Sequence, residues 1–279
     1  MAAVTQVGAA QLSPSPRGTT THLSHTADGN TASSTLPAAD RHPTCIQHRS
    51  LSGNGRVRAL SERAWRELPY DVRKYPFDQL MRTHLGVETL EDLHRYHDVP
   101  RLTTENEQAT DLHQLLYEIG PDFDEVYTRF VAEWVRPLFG ADLVYQAKPN
   151  FRFQMPDNLA VAEWHLDSEA GHHVRETNIW IPLTAVNDRN CVWLESKPGT
   201  REFHPAVVSV GSALIFNASE LMHGNVLNTS GQTRVSFEFR VIRASEYRDS
   251  DKVSVNLGQK FTLGEYFRRL PQSESSALT

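Results

Sequence analysis

Apolar positions along the chain change their period once. Between residues 56 and 140 they recur every three to four residues, the spacing that lines one face of a helix. This predicts helices over "LSERAWRELPYDV", capped by Ser61, over "FDQLMRTHL", and over "TLEDLHRYH" behind Thr89. It also predicts them over "NEQATDLHQLLYEIG", stopped at Gly120, and over "DFDEVYTRFVAEWVRPLFG", stopped at Pro137 and Gly140. In the last of these Val126, Phe130 and Trp134 form one stripe. From about residue 142 the period becomes two. "LVYQAKPNFRFQM", "LAVAEWHLDSE", "ETNIWIPLTAV", "CVWLES", "SALIFNAS" and "RVSFEFRVIR" read as short strands, with "NDRN", "KPG" and "NTSGQ" as turns between them. Helices first and strands second is not the alternation of a parallel sheet. The pattern predicts a mainly β fold with flanking helices, a sandwich or barrel of jelly-roll type with the helices outside the sheet.

Composition divides the chain further. Residues 1–55 are rich in Ala, Ser, Thr, Pro and Gly and poor in aromatic and long apolar side chains, which predicts a disordered or loosely docked N-terminal arm. Residues 56–279 are expected to form a single domain: helical support over 56–140, a strand-built core over 142–243 and a C-terminal extension over 244–279. The net charge of −6 offers no electrostatic support for a nucleic-acid partner. With Cys45 and Cys191 the only cysteines, no disulfide framework exists, and a reduced, cytoplasmic setting is expected. The chain has no long apolar run for a membrane span and no apolar N-terminal segment of the signal-peptide kind, so no membrane partner is expected.

The chemistry starts at "EWHLDSE", residues 163–169. On a strand His165 and Asp167 face one way and Trp164 and Leu166 the other. Two inward polar groups need a partner. In "MHGN", after the strand "SALIFNAS" and a short loop, His223 adds a second imidazole. Two histidines and one carboxylate are the ligand set of a facial triad for non-haem Fe(II), which leaves coordination positions open for a chelating co-substrate and dioxygen. On "RVSFEFRVIR" Arg234 and Ser236 share a face opposite Val235, Phe237 and Phe239. An inward guanidinium needs an anion, and with a hydroxyl two residues on it suits the distal carboxylate of 2-oxoglutarate.

His165-x-Asp167, then His223, then Arg234-x-Ser236 resembles the motif of the Fe(II)/2-oxoglutarate-dependent oxygenases. "RFQMP", "HGNVLNTSGQTRVSFEFRV" and "FTLGEYF" resemble the streptomycin-biosynthesis-type branch, whose members belong to aminoglycoside and other carbohydrate clusters. The resemblance implies a double-stranded β-helix (jelly-roll, cupin-like) core over roughly 142–243. It also implies a dioxygenase that uses Fe(II), 2-oxoglutarate and O2 to hydroxylate or ring-close a polar, sugar-like small molecule in antibiotic biosynthesis. Asp167 stands where related halogenases carry Ala or Gly, which argues against halogenation.

Further candidates follow from alternation. Asn178 and Trp180 share a face of "ETNIWIPL"; Asn178 is a candidate for binding 2-oxoglutarate or substrate, or an ordinary strand residue, and Trp180 is a substrate candidate. Gln154 and Arg152 alternate with Phe151, Phe153 and Met155; Gln154 is a co-substrate candidate, and Arg152 either meets substrate or forms a structural ion pair. His172, in a loop after the metal pair, is solvated or faces substrate. Two other functions compete: a cupin-like metal isomerase, whose first cluster ordinarily carries more histidines, and a non-catalytic small-molecule-binding domain, against which the intact His165, Asp167, His223 and Arg234 argue.

Overall fold

Alternation along "RVSFEFRVIR" organises the molecule. The computed structural model describes residues 65–254 and 257–270; the predicted arm of residues 1–55 and the Ser61 cap lie outside them. Strand β9 (Arg234–Arg243) runs through the centre of a seven-stranded antiparallel sheet. Its order is β1 (Trp65–Pro69), β7 (Ser212–Phe216), β4 (Thr177–Pro182), β9, β2 (Leu143–Gln146) and β12 (Phe267–Arg269), with β3 (Asn150–Gln154) also paired to β9. A second sheet holds β6 (Phe203–Ala206), β5 (Val192–Glu195) and β8 (His223–Gly224). Strands β10 (Ser250–Val253) and β11 (Lys260–Phe261) form a separate hairpin.

The outward side of β9 is apolar. Val235, Phe237, Phe239 and Val241 are buried against helices α1 (Phe77–Leu85), α2 (Asp111–Tyr117) and α3 (Pro121–Phe130). Phe237 meets Phe77 edge-on at 4.9 Å between centroids and Phe123 at 5.7 Å. Full burial of such rings stabilises by roughly 1.5–3 kcal/mol each. The inward side carries Arg234, Ser236, Glu238 and Arg240, all buried. A second apolar cluster joins the sheets, with Trp180, Leu214 and Phe216 of the large one against Leu194 and Ala206 of the small one. No helix among the described residues is long and apolar enough to cross a membrane.

Several elements differ from expectation. Trp65–Pro69 is not helical: it pairs with β7 over five residues, and that cross-strand pairing overrides the helical spacing. "TLEDLHRYH" yields only a 3₁₀ turn, Leu93–Arg95, and Thr89 bonds the Asp92 side chain (3.0 Å) rather than a backbone N–H. The long helix is broken by a π-helical turn, Val131–Val135, yet its stripe holds, with Trp134 stacked on Phe130 at 4.8 Å. Within the C-terminal extension, β12 pairs with β2 at the edge of the large sheet.

"LAVAEWHLDSE" is not a strand. His165 makes a single antiparallel bridge to His223, and a turn begins at Asp167, closed by Ala170 N–H to Asp167 O at 3.1 Å. His165 and Asp167 therefore converge through a bridge followed by a turn, not through strand alternation.

Candidate metal centre

His165 and His223 are tied backbone to backbone, each N–H donating to the other's carbonyl at 3.0 and 3.1 Å. Asp167 N–H donates to Ala218 O at 2.9 Å, which draws the turn toward the loop that leads into His223. These bonds bring one ring nitrogen from each histidine and one Asp167 oxygen within 4.8 Å of one another. Asp167 Oδ1 stands 3.6 Å from His165 Nε2 and 3.8 Å from His223 Nε2. Ligand atoms roughly 2.1 Å from one divalent ion present separations of this order.

The protons are arranged to match. His165 Nδ1 lies 3.0 Å from Glu163 O and His223 Nδ1 lies 3.0 Å from Leu221 O. A carbonyl only accepts, so each Nδ1 carries the hydrogen and each Nε2 presents a lone pair. Burial, reinforced by His165, pulls the His223 pKa down to about 4, which keeps that ring neutral and able to ligate. Burial pulls His165 down too, but its contact with Asp167 wins and raises it. Burial pushes Asp167 up, yet the Arg240 guanidinium, then His165, hold it well below the usual carboxylate range. Arg240 Nε donates to Asp167 Oδ2 at 2.7 Å. The residues present fit a divalent ion held by His165, Asp167 and His223.

His165, His223, Arg234, Trp180 and Arg152 line one cavity, together with Val161, Val192, Phe216 and Glu238. Arg234 is buried at 1% exposure and donates to Asn190 O (3.0 Å), Ser236 Oγ (2.6 Å) and Gln154 Oε1 (3.1 Å), its guanidinium 5.5 Å over the Trp180 ring. No carboxylate among the described residues pairs with it, and burial pulls its pKa down to about 10. Arg152 is held by Glu107 at 2.7 Å and Glu238 at 2.9 Å, the structural ion pair weighed above. Asn178 is buried with neither side-chain polar atom hydrogen-bonded, and on β4 it shares a face with Trp180.

His172 goes elsewhere. It lines a separate cavity of about 290 Å³ with Tyr247 and Phe261, and its Nδ1 lies 2.8 Å from Glu176 Oε2. The turn after Asp167 is closed by His172 N–H to Asp167 O at 3.2 Å and sets the His172 ring against Phe261 and Tyr266.

Sequence reasoning passed over Arg240, Glu238, Glu107 and Tyr266. Two of the four were signalled, since Glu238 and Arg240 continue the inward face begun by Arg234 and Ser236. Glu107 and Tyr266 come from loops far away in sequence, with no periodicity to mark them.

No family profile matches the chain. Over 205 residues it is 34% identical to streptomycin biosynthesis protein StrG from Streptomyces griseus, covering 72% of this chain and 96% of that protein. Among solved structures, the non-haem alpha-ketoglutarate-dependent carbocyclase SnoK from nogalamycin biosynthesis aligns with a TM-score of 0.51 at 15% identity, over 76% of this chain and 94% of SnoK. A nickel complex of the non-haem monooxygenase ThoJ aligns with a TM-score of 0.47 at 14% identity, over 77% and 88%. The likeness to SnoK places the two sheets in the jelly-roll fold of that protein, and the chain belongs to the family of streptomycin biosynthesis protein StrG.

Proposed function

We propose that the chain oxidises a C–H bond of a polar small molecule, an aminoglycoside or sugar intermediate of antibiotic biosynthesis, by hydroxylation or oxidative ring closure. One observation carries the reading: a buried guanidinium with no carboxylate partner among the described residues stands on the wall of the cavity that holds both histidine ligands. An uncompensated buried charge is costly unless an anion meets it. The far carboxylate of 2-oxoglutarate supplies that anion. Ser236 Oγ and Gln154 Oε1 hold the Arg234 fork in place, and the Trp180 ring supports it from below. Asn178, with its unspent donor and acceptor, offers a further polar contact to the co-substrate or substrate.

Ferrous iron, when bound with 2-oxoglutarate and dioxygen, supplies the oxidising power. His165, Asp167 and His223 would hold the ion, and a three-ligand set of this kind would leave coordination positions for the co-substrate and dioxygen. Arg152 has its charge satisfied by Glu107 and Glu238, which leaves Arg234 as the guanidinium on the cavity wall open to an anion, and Val161, Val192 and Phe216 exclude water. The likeness to StrG supports a sugar or aminocyclitol substrate.

The test is anaerobic. Fe(II) followed by 2-oxoglutarate is expected to give the weak visible metal-to-ligand charge-transfer band, and His165→Ala to abolish it. Arg234→Met is expected to weaken 2-oxoglutarate binding tenfold or more, as for loss of a buried charged partner worth about 2–5 kcal/mol, with Fe(II) still bound. Unchanged 2-oxoglutarate affinity in that variant overturns the carboxylate assignment. Succinate release against a panel of aminoglycosides and nucleotide sugars then identifies the substrate.

A further inference from the structure

Asp167 has two oxygens, and they live differently. Oδ1 faces the two histidine Nε2 atoms at 3.6 and 3.8 Å. Oδ2 is taken by Arg240 Nε at 2.7 Å. Arg240 is itself held from behind: its Nη1 donates to Gln146 Oε1 and to Tyr266 Oη, each at 3.3 Å. Asp167, Arg240, Gln146 and Tyr266 are all buried. Arg240 projects from the middle of β9, paired with β4 through Asn178, so its backbone has little freedom to follow a moving carboxylate. The Tyr266 backbone is pinned as well, its carbonyl accepting from Ala147 N–H at 2.7 Å.

A carboxylate beside a divalent ion can ligate through one oxygen or through both. Two-oxygen ligation here would require the carboxyl group to turn and Oδ2 to leave a short, buried, charge-assisted bond. We infer that Arg240 is a positioning residue that fixes Asp167 as a one-oxygen ligand, with Tyr266 and Gln146 fixing Arg240 in turn. The consequence is an open coordination position that a two-oxygen carboxylate would otherwise fill. The inference rests on the metal site proposed above.

The test uses the full chain and cobalt(II) alone, which stands in for ferrous iron and reports coordination through its visible d–d bands without turnover. Wild type is expected to bind cobalt and His223→Ala to lose it; failure of wild type to bind overturns the metal site and this inference together. Given wild-type binding, Arg240→Gln is expected to weaken cobalt affinity about 10–100-fold, the usual cost of losing a partner behind a metal ligand, and to alter the d–d envelope. Arg240→Lys retains the charge without the Nε donor and is expected not to restore the wild-type spectrum. Tyr266→Phe, which removes one hydroxyl and keeps the ring, is expected to weaken affinity at least threefold. Wild-type affinity and spectrum in Arg240→Gln overturn the inference and leave the metal site standing. Should Arg240→Gln fail to fold, Tyr266→Phe decides alone, an unchanged affinity and spectrum overturning it.

Discussion

Gly224 follows His223 and has no room for a side chain. A β-carbon there would stand 2.7 Å from Trp164 Cδ2 and 2.9 Å from Cγ, the rigid base of the indole. Trp164 is itself braced edge-on against Phe203 at 4.6 Å and precedes His165 in the chain. Gly224→Ala is therefore expected to cost about 1–3 kcal/mol and to loosen cobalt binding, with Trp164→Ala added to it recovering most of the stability. Thermal melts and a cobalt titration of the single and double variants measure both, and a Gly224→Ala melt equal to wild type refutes the steric account. The grouping of His165, Asp167 and His223 was legible because residue type and order single them out. Gly224 was not, since its constraint comes from a tryptophan sixty residues upstream whose position depends on the His165–His223 bridge.

Strand β9 separates stability from chemistry across its two faces. Phe237→Ala on the helix side opens a hole among Phe77, Phe123 and Phe151 and is expected to cost about 3–5 kcal/mol in denaturant unfolding. Ser236→Ala on the cavity side removes one acceptor from Arg234 and is expected to cost about 1 kcal/mol while reducing 2-oxoglutarate affinity. Equal stability losses would contradict this division. Helix α2 carries a pH dependence of its own. His113 is buried against Phe153 and bonded to Thr110, and burial, then Arg152, brings its pKa down to about 4. The unfolded chain takes up this proton below about pH 6.5, whereas the folded chain resists until about pH 4. Stability is therefore lost as pH falls through that window, by about 3 kcal/mol in total from this group. His113→Gln is expected to flatten that limb of the unfolding free energy relative to wild type. The alternation of β9 was legible from its residues. The identity of β1 was not, because only pairing with β7 makes a strand of it.

At the scale of the molecule, the jelly-roll class was legible from the order of helices and strands, whereas the joining of β12 to the large sheet depends on pairing across more than a hundred residues. A ligand that binds only the folded state adds stability by mass action, about 2.7 kcal/mol at one hundred times its Kd. Cobalt is expected to raise the melting temperature, and 2-oxoglutarate to add a second rise only when cobalt is present. Arg234→Met is expected to abolish the second rise and keep the first.

Tyr266 and β12 give the last stretch of chain a custody that its distance from the ligands conceals. A chain shortened to residue 259 would retain both imidazoles, the carboxylate and every loop that carries them. It would also shed the phenol behind Arg240 and the strand that pairs with Gln146, its other support. Truncation at that end would therefore erode the proposed metal site from behind, and trimming the protein for expression or fusion has its safe limit beyond Arg269.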